Sequence, residues 1–198
     1  MLWPDEFAPQ AFLLLEANEV SSSEIVTGLG TVEVRNRIQH TGIIRAEVAP
    51  PFLVLAVVGE HSKKEGYRAL RAYAQPVFTG NQFIPTERDH DRDVLAELQR
   101  AQYQLRRIGI RMAAKRILFD IPTEHGSARP DFLVALLDEQ TGQELKFALQ
   151  VLQSRDDGYL ELRAIERDRL SEIGPVVALD LDDIAADEIT ERARMLLG

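Results

Sequence analysis

Hydrophobic and polar positions change their period near residue 85. Before it, apolar residues come in short runs or alternate with period two. Residues 11–15 form a short apolar strand, and Thr31-Val32-Glu33-Val34-Arg35 alternates as a half-buried strand should. Residues 43–48 and 52–58 read as two further strands, separated by Pro50-Pro51, since proline cannot donate to a ladder. The run 52–58 is apolar on both faces, which predicts a central strand. Gly28-Leu29-Gly30 predicts a hairpin turn, residues 65–75 a short helix ended by Pro76, and residues 81–85 a connection.

After residue 85 the order is more regular. Thr86 with Asp89 resembles a capping box. Val94, Leu98, Ala101, Leu105 and Ile108 then recur at helical spacing, and Gly109 supplies a stop. A strand is predicted over 116–121, a polar loop over 123–129, and a hairpin formed by 129–137, opening with Pro130-Asp131, and 144–152. Residues 157–173 predict a helix with Leu162, Ile165 and Leu170 inward, and Gly174-Pro175 ends it. Residues 176–179 are a buried strand. Asp182 or Asp183 is expected to cap a last helix that buries Ile189, Ala193, Leu196 and Leu197. This order, α-β-β-β-α-β-α, predicts an α/β (α+β) fold with a mixed sheet and helices on both faces. The chain divides into an N-terminal β-rich segment, 1–85, and a second domain, 86–198.

Composition narrows the function. The net charge is −9, so any contact with nucleic acid must be local. Arg106, Arg107, Arg111 and Lys115, with Arg100 and Arg116, are the candidate basic surface. The acidic excess gathers in Asp180, Asp182, Asp183, Asp187, Glu188 and Glu191. Each cluster also reads as the solvated face of an amphipathic element. There is no cysteine, which excludes disulfides and thiolate metal sites. The apolar run 50–58 is too short to span a bilayer. The acidic start of the chain lacks the basic region of a signal peptide. A cytoplasmic protein with no membrane role is expected. The four histidines, His40, His61, His90 and His125, have no metal-ligand spacing, and no phosphate loop or nucleophile elbow is present.

The hairpin carries the chemistry. Its first strand opens with Pro130-Asp131, and its second contains Glu144-Leu145-Lys146, an acid-x-Lys. With the element order, this resembles the PD-(D/E)xK, or restriction-endonuclease-like, nucleases over roughly residues 86–181. The resemblance implies an αβββαβ core and a Mg²⁺ ion held by the strand aspartate, an acid on the next strand and a main-chain carbonyl. The ion polarises the scissile phosphate and activates water, and the lysine orients that water. Asp131 matches the first ligand, and Glu97 or Asp93 the acid of the preceding helix. Gln82-Phe83-Ile84-Pro85, Arg92-Asp93-Val94-Leu95, Leu118-Phe119-Asp120-Ile121 and Arg129-Pro130-Asp131-Phe132-Leu133 are also similar to uncharacterised proteins of bacterial plasmids and integrative elements. That similarity implies a role in DNA processing of a mobile element.

Hairpin geometry displaces the literal motif. The turn is 138–143, with Gly142 supplying positive φ. Pairing Asp138 with Gln143 sets Leu137 opposite Glu144 and Asp131 opposite Gln150. Glu144 is then six residues from the position facing Asp131, about 20 Å along the strand at roughly 3.3 Å per residue. Ligands of one Mg²⁺ lie about 2.1 Å from it. By position the third-strand site is Gln150-Val151-Leu152, with acid replaced by amide and lysine by leucine. Gln153, Glu124 and His125 are candidate substitutes, and Lys115 or Arg116 a source of positive charge.

Three readings follow. The favoured one is a nuclease fold with a degenerate metal site that binds DNA or a DNA-processing protein. The second is an active Mg²⁺ nuclease, with Asp131, Gln150 and the Val151 carbonyl at the metal and Glu97 in support. The third is an assembly protein without nucleic acid, self-associating through the N-terminal segment, where residues 52–58 and Trp3, Phe7, Tyr67 and Tyr73 offer apolar surface. The position of Arg106, Arg107, Arg111 and Lys115 relative to Asp131 discriminates among them.

Overall fold

A computed structural model describes residues 10–40, 49–62, 66–181 and 184–197. The chain forms two compact units, Met1–Arg92 and Asp93–Gly198. No helix among the described residues is long and apolar enough to cross a membrane.

The first unit is built from β1 (Gln10–Ala17), β2 (Glu19–Val20), β3 (Glu24–Thr27), β4 (Gly30–Glu33), β5 (Gln39–His40), β6 (Phe52–Ser62), β7 (Gly66–Thr79) and β8 (Gln82–Pro85). One sheet has the order β1-β6-β7-β5, with β8 paired to β7, and β2-β3-β4 form a second. The apolar β6 lies between β1 and β7, as its two-sided hydrophobicity requires. Val54 and Ala56 point into a core with Ala17, Ile25, Val34, Ile38, Ala72 and Ala74. Gly30, at φ 135°, closes the β3–β4 turn where Thr27 faces it.

The helix expected over 65–75 is instead the body of β7. Ala72, Ala74 and Pro76 face Ala56, Val54 and Phe52, and the pairing runs on past a register shift at Val57/Val58. A stretch with weak local preference takes the conformation its neighbour's free edge offers, and the small alanines fit the buried face. The expected connection at 81–85 contains β8 for the same reason, pairing Val77 with Pro85. The strand expected over 43–48 lies outside the described residues.

The corner after β8 is held by ionic side chains. Asp91 Oδ2 accepts from the amides of Glu87 (2.7 Å) and Arg88 (3.1 Å). Thr86 is fully buried with its hydroxyl unpartnered, so it does not form the expected capping box. The Arg92 guanidinium donates to the carbonyls of Ala49 (2.6 Å) and Val77 (3.0 Å) and to Asp89 Oδ1 (2.5 Å).

The division between units falls in the first turn of α1 (His90–Arg106). The second unit continues with β9 (Ile110–Arg116), β10 (Ile121–Thr123), β11 (Gly126–Ala128), β12 (Phe132–Asp138), β13 (Glu144–Leu152), α2 (Asp157–Leu170), β14 (Val176–Asp180) and α3 (Ala186–Leu197). The four-stranded sheet has the order β14-β13-β12-β9. β14 runs parallel to β13, and the other pairs are antiparallel. This is an αβββαβ core with a small β10–β11 hairpin between its first two strands. The first strand sits at 110–116, not 116–121. Ile110 and Met112 are buried while Arg111 and Ala113 are exposed, so the alternation starts directly after Gly109. The loop expected at 123–129 holds the β10–β11 turn.

The β12–β13 register is the one derived from the turn. Leu137 faces Glu144 and Phe132 faces Leu149, while the Asp138 amide bonds the Gln143 carbonyl at 2.9 Å. One face of the sheet buries Phe132, Val134, Phe147, Leu149 and Val151. α1 buries Val94, Leu98, Ala101 and Leu105 along one stripe, and α3 buries Ile189 and Ala193. Gln104 ties these helices together through Asp187 (2.7 Å) and Thr190 (2.7 Å). α2 packs on the opposite face, where Leu170 meets Ala128 and Ala148. Leu162 and Ile165, expected inward, are 69% and 54% exposed, and Ile108 is also on the surface. Asp182 and Asp183 lie outside the described residues.

Glu172, just past α2, clasps the β10–β11 turn. Its carboxylate accepts from His125 Nδ1 (2.6 Å) and the Glu124 amide (2.5 Å). The His125 bond is the main cause that holds its pKa below the ordinary carboxylate value. A carboxylate lowered in the folded state contributes stability above its unfolded pKa and loses it as pH falls through the folded one. Acidification below about pH 4.3, the ordinary glutamate value, is therefore expected to loosen this turn. Protection of the Glu124 amide, its exchange rate relative to that of an unstructured amide at the same pH, should fall there, and Glu172→Gln should remove that pH dependence.

Candidate functional site

The residue pair derived from the turn meets where β12 begins and β13 ends. Asp131 Oδ2 accepts from the Val151 amide at 2.8 Å. The same oxygen accepts from Nη2 of Arg163, on α2, at 2.7 Å. Nη2 also donates to the Val151 carbonyl at 2.8 Å, and Nη1 to Glu166 Oε2 at 2.5 Å. Gln150 is fully buried, and its Nε2 donates to the Arg163 carbonyl at 3.2 Å and to Glu166 Oε2 at 3.4 Å. Tyr159 donates its hydroxyl to the Val151 carbonyl (3.4 Å) and accepts from the Gln153 amide (3.0 Å). Its ring lies 5.8 Å from the guanidinium carbon.

Local sequence explains the delivery of these groups. Asp156 caps α2 by accepting from the Tyr159 amide at 3.1 Å. From that start, Tyr159, Arg163, Glu166 and Leu170 recur at spacings of four, three and four, which places them on one helical face. The Arg163 side chain is only 16% exposed. Burial pulls its pKa down, and the attraction of Asp131 and Glu166 outweighs that and raises it. The guanidinium therefore stays charged at every ordinary pH. Two polar atoms remain without partners in the cluster, Gln150 Oε1 and Arg163 Nε.

Residues 87–196 match the family of restriction endonuclease-like C-terminal domains. The chain belongs to this family. Residues 1–77 match a domain of unknown function, DUF8535. No curated protein matches the chain.

Active restriction endonuclease-like domains use Mg²⁺, and the residues here do not fit that ion as arranged. The Asp131 oxygen and the Val151 carbonyl that would hold it are both bonded to one guanidinium nitrogen. Leu152 stands where a lysine would orient water. Among the described residues no group of three histidine, aspartate or glutamate side chains is placed to hold a metal ion.

The other candidate residues are engaged elsewhere. Glu97 is bound by other partners: its Oε2 accepts from the Ala186 amide at 2.9 Å, capping α3, and its Oε1 pairs with Arg100. The first-turn amide of α3 has no partner within the helix, and the Glu97 carboxylate satisfies it. Asp93 is exposed on α1. Glu124 and His125 serve the Glu172 clasp. Glu144 and Lys146 are exposed opposite Leu137 and Ala135. Lys115 faces Leu133, two residues along β12 from Asp131, and Arg111 faces Leu137 at the far end. Arg111 lies 3.6 Å from Glu139 and shares an open groove with Arg106, Tyr103 and Gln102. Arg107 is exposed in the turn after α1. As a group the basic residues do not gather at Asp131: Lys115 lies near it in register, whereas Arg106 and Arg111 lie together at the far end of the strand. Sequence reasoning missed Arg163, Glu166 and Tyr159. Their shared helical spacing with Leu170 was the available signal, but the two apolar residues Leu162 and Ile165 outweighed it.

Proposed function

We propose that this is a restriction endonuclease-like domain with a degenerate metal site, kept for binding rather than phosphodiester hydrolysis. The observation that carries the reading is Arg163, whose Nη2 bonds Asp131 Oδ2 and the Val151 carbonyl together. A protein cation then fulfils the electrostatic role of the divalent ion without its chemistry: guanidinium carries no exchangeable water to activate. The loss of the strand lysine removes the second requirement for hydrolysis. The domain would act as an accessory in DNA processing of a mobile element, contacting a protein of that system rather than the DNA itself, because the net charge is −9 and the basic residues do not gather as one surface at Asp131.

The test is calorimetric titration of the whole chain with Mn²⁺ and Mg²⁺, beside Asp131→Ala, with nuclease assays on single- and double-stranded DNA and on RNA. No metal binding and no cleavage are expected. Metal binding that disappears in Asp131→Ala, together with Mg²⁺-dependent cleavage, would sink the reading in favour of an active nuclease. The unpartnered Oε1 of Gln150 is what would favour that second reading, since an amide oxygen can serve a hard cation.

A further inference from the structure

The first unit exposes a strand edge that the rest of its described residues leave unused. β1 is the outermost strand of its sheet and bonds β6 on one side. Among the described residues, no strand pairs with Gln10–Ala17 on the other side. Beyond Ala17 the chain is committed elsewhere, because the Asn18 amide donates to the Val26 carbonyl at 2.8 Å. The open edge is therefore residues 10–16.

An open edge presents a row of unpaired N–H and C=O groups, and soluble proteins usually blunt it with lysine, proline or a bulge. Gln-Ala-Phe-Leu-Leu-Leu-Glu contains neither lysine nor proline. The pairing to β6 runs without a shift from Gln10↔Gly59 to Ala17↔Phe52, so there is no bulge. The side chains are also apolar and open to solvent. Phe12 is 67% exposed, Leu14 59% and Leu13, on the other face, 43%. The patch extends to Leu55, which faces Leu14 and is 38% exposed.

We propose that the chain forms a homodimer through this edge, with two β1 strands pairing antiparallel about Leu13. A polypeptide strand is the occupant that satisfies main-chain groups and apolar side chains on both faces together. A second copy of β1 is the specific match because the segment is self-complementary. In an antiparallel pair centred on Leu13, Phe12 faces Leu14 of the second copy, Ala11 faces Leu15, and Gln10 faces Glu16. Apolar residues meet apolar residues, amide meets carboxylate, and no like charges are opposed. The contact is isologous, so it closes at two copies. It does not depend on the state of the Asp131 site.

Sedimentation of the full chain over a wide concentration range tests the proposal. A dimer that dissociates on dilution is expected. The double variant Phe12→Lys, Leu14→Lys should run as a monomer with an unchanged circular dichroism spectrum, because both side chains are exposed in the protomer. The cysteine-free chain allows a second measurement should that variant fold poorly. Leu13→Cys should be captured as a covalent dimer by a short bismaleimide, whereas Leu29→Cys, fully exposed in the β3–β4 turn, should not. A monomer at every concentration, a dimer that survives both lysines, or equal capture at the two cysteine positions overturns the proposal.

Discussion

Arg163→Ala is expected to lower unfolding free energy by about 3 kcal/mol, the lower end of the cost of breaking a buried ion pair. The lower end applies because the partners are not sealed: the side chains of Asp131 and Glu166 are 26% and 29% exposed. The loss has two sources. Asp131 and Glu166 are left without the cation that joins them, and the Val151 carbonyl keeps only the 3.4 Å bond from Tyr159. Urea denaturation of the variant checks the magnitude. Adding Asp131→Asn should recover part of it, because the orphaned charge is then gone.

The same variant tests whether Arg163 stands in a cation's place. Without the guanidinium, the two carboxylates and the Val151 carbonyl that it joined are left facing the space it filled. Millimolar Mn²⁺ should then raise the melting temperature of Arg163→Ala and leave the wild type unchanged, since a ligand stabilises only the state it binds. An equal shift in both proteins would mean that the ion binds elsewhere and that Arg163 occupies no metal position.

The second large effect belongs to the sheet. Phe147→Ala is expected to cost about 3–5 kcal/mol, as for other buried phenylalanine truncations. Phe147 is 1% exposed and lies opposite Val134, which is fully buried. Leu162→Ala and Ile165→Ala should each stay within about 0.5 kcal/mol, the usual range for surface positions. The contrast is informative because simple hydrophobicity ranks all three as core. A loss above 2 kcal/mol at Leu162 would mean that α2 presents a different face to the sheet.

Much of the second unit was legible because its signals are local and agree with one another. Gly142 and the six-residue turn specify one hairpin, and period-two alternation on both strands permits one register, so Asp131 opposite Gln150 followed from counting. α1 and α3 carry apolar stripes strong enough to be read directly, and Gly109 ends α1 with φ 82°. β7 was not legible. Residues 65–75 hold alanines and single large residues that suit either period, and the β6 edge decided between them. α2 failed for the opposite reason. Its stripe at Tyr159, Arg163, Glu166 and Leu170 is mostly polar, and hydrophobic periodicity is blind to a helix that turns charged groups inward.

The sequence by itself determined the order of the core elements in the second unit, though not the place of its first strand or the β10–β11 hairpin, together with the β12–β13 register and the meeting of Asp131 with the end of β13. All three depend on spacing within a few residues or across one tight turn. Only the tertiary structure decided what fills the space beside Asp131. Arg163 lies 32 residues away in the chain, on a helix whose rotation about its axis is fixed by packing against the sheet. A pairing of that kind has no local signature, because an arginine on an amphipathic helix reads the same whether it faces water or a buried carboxylate.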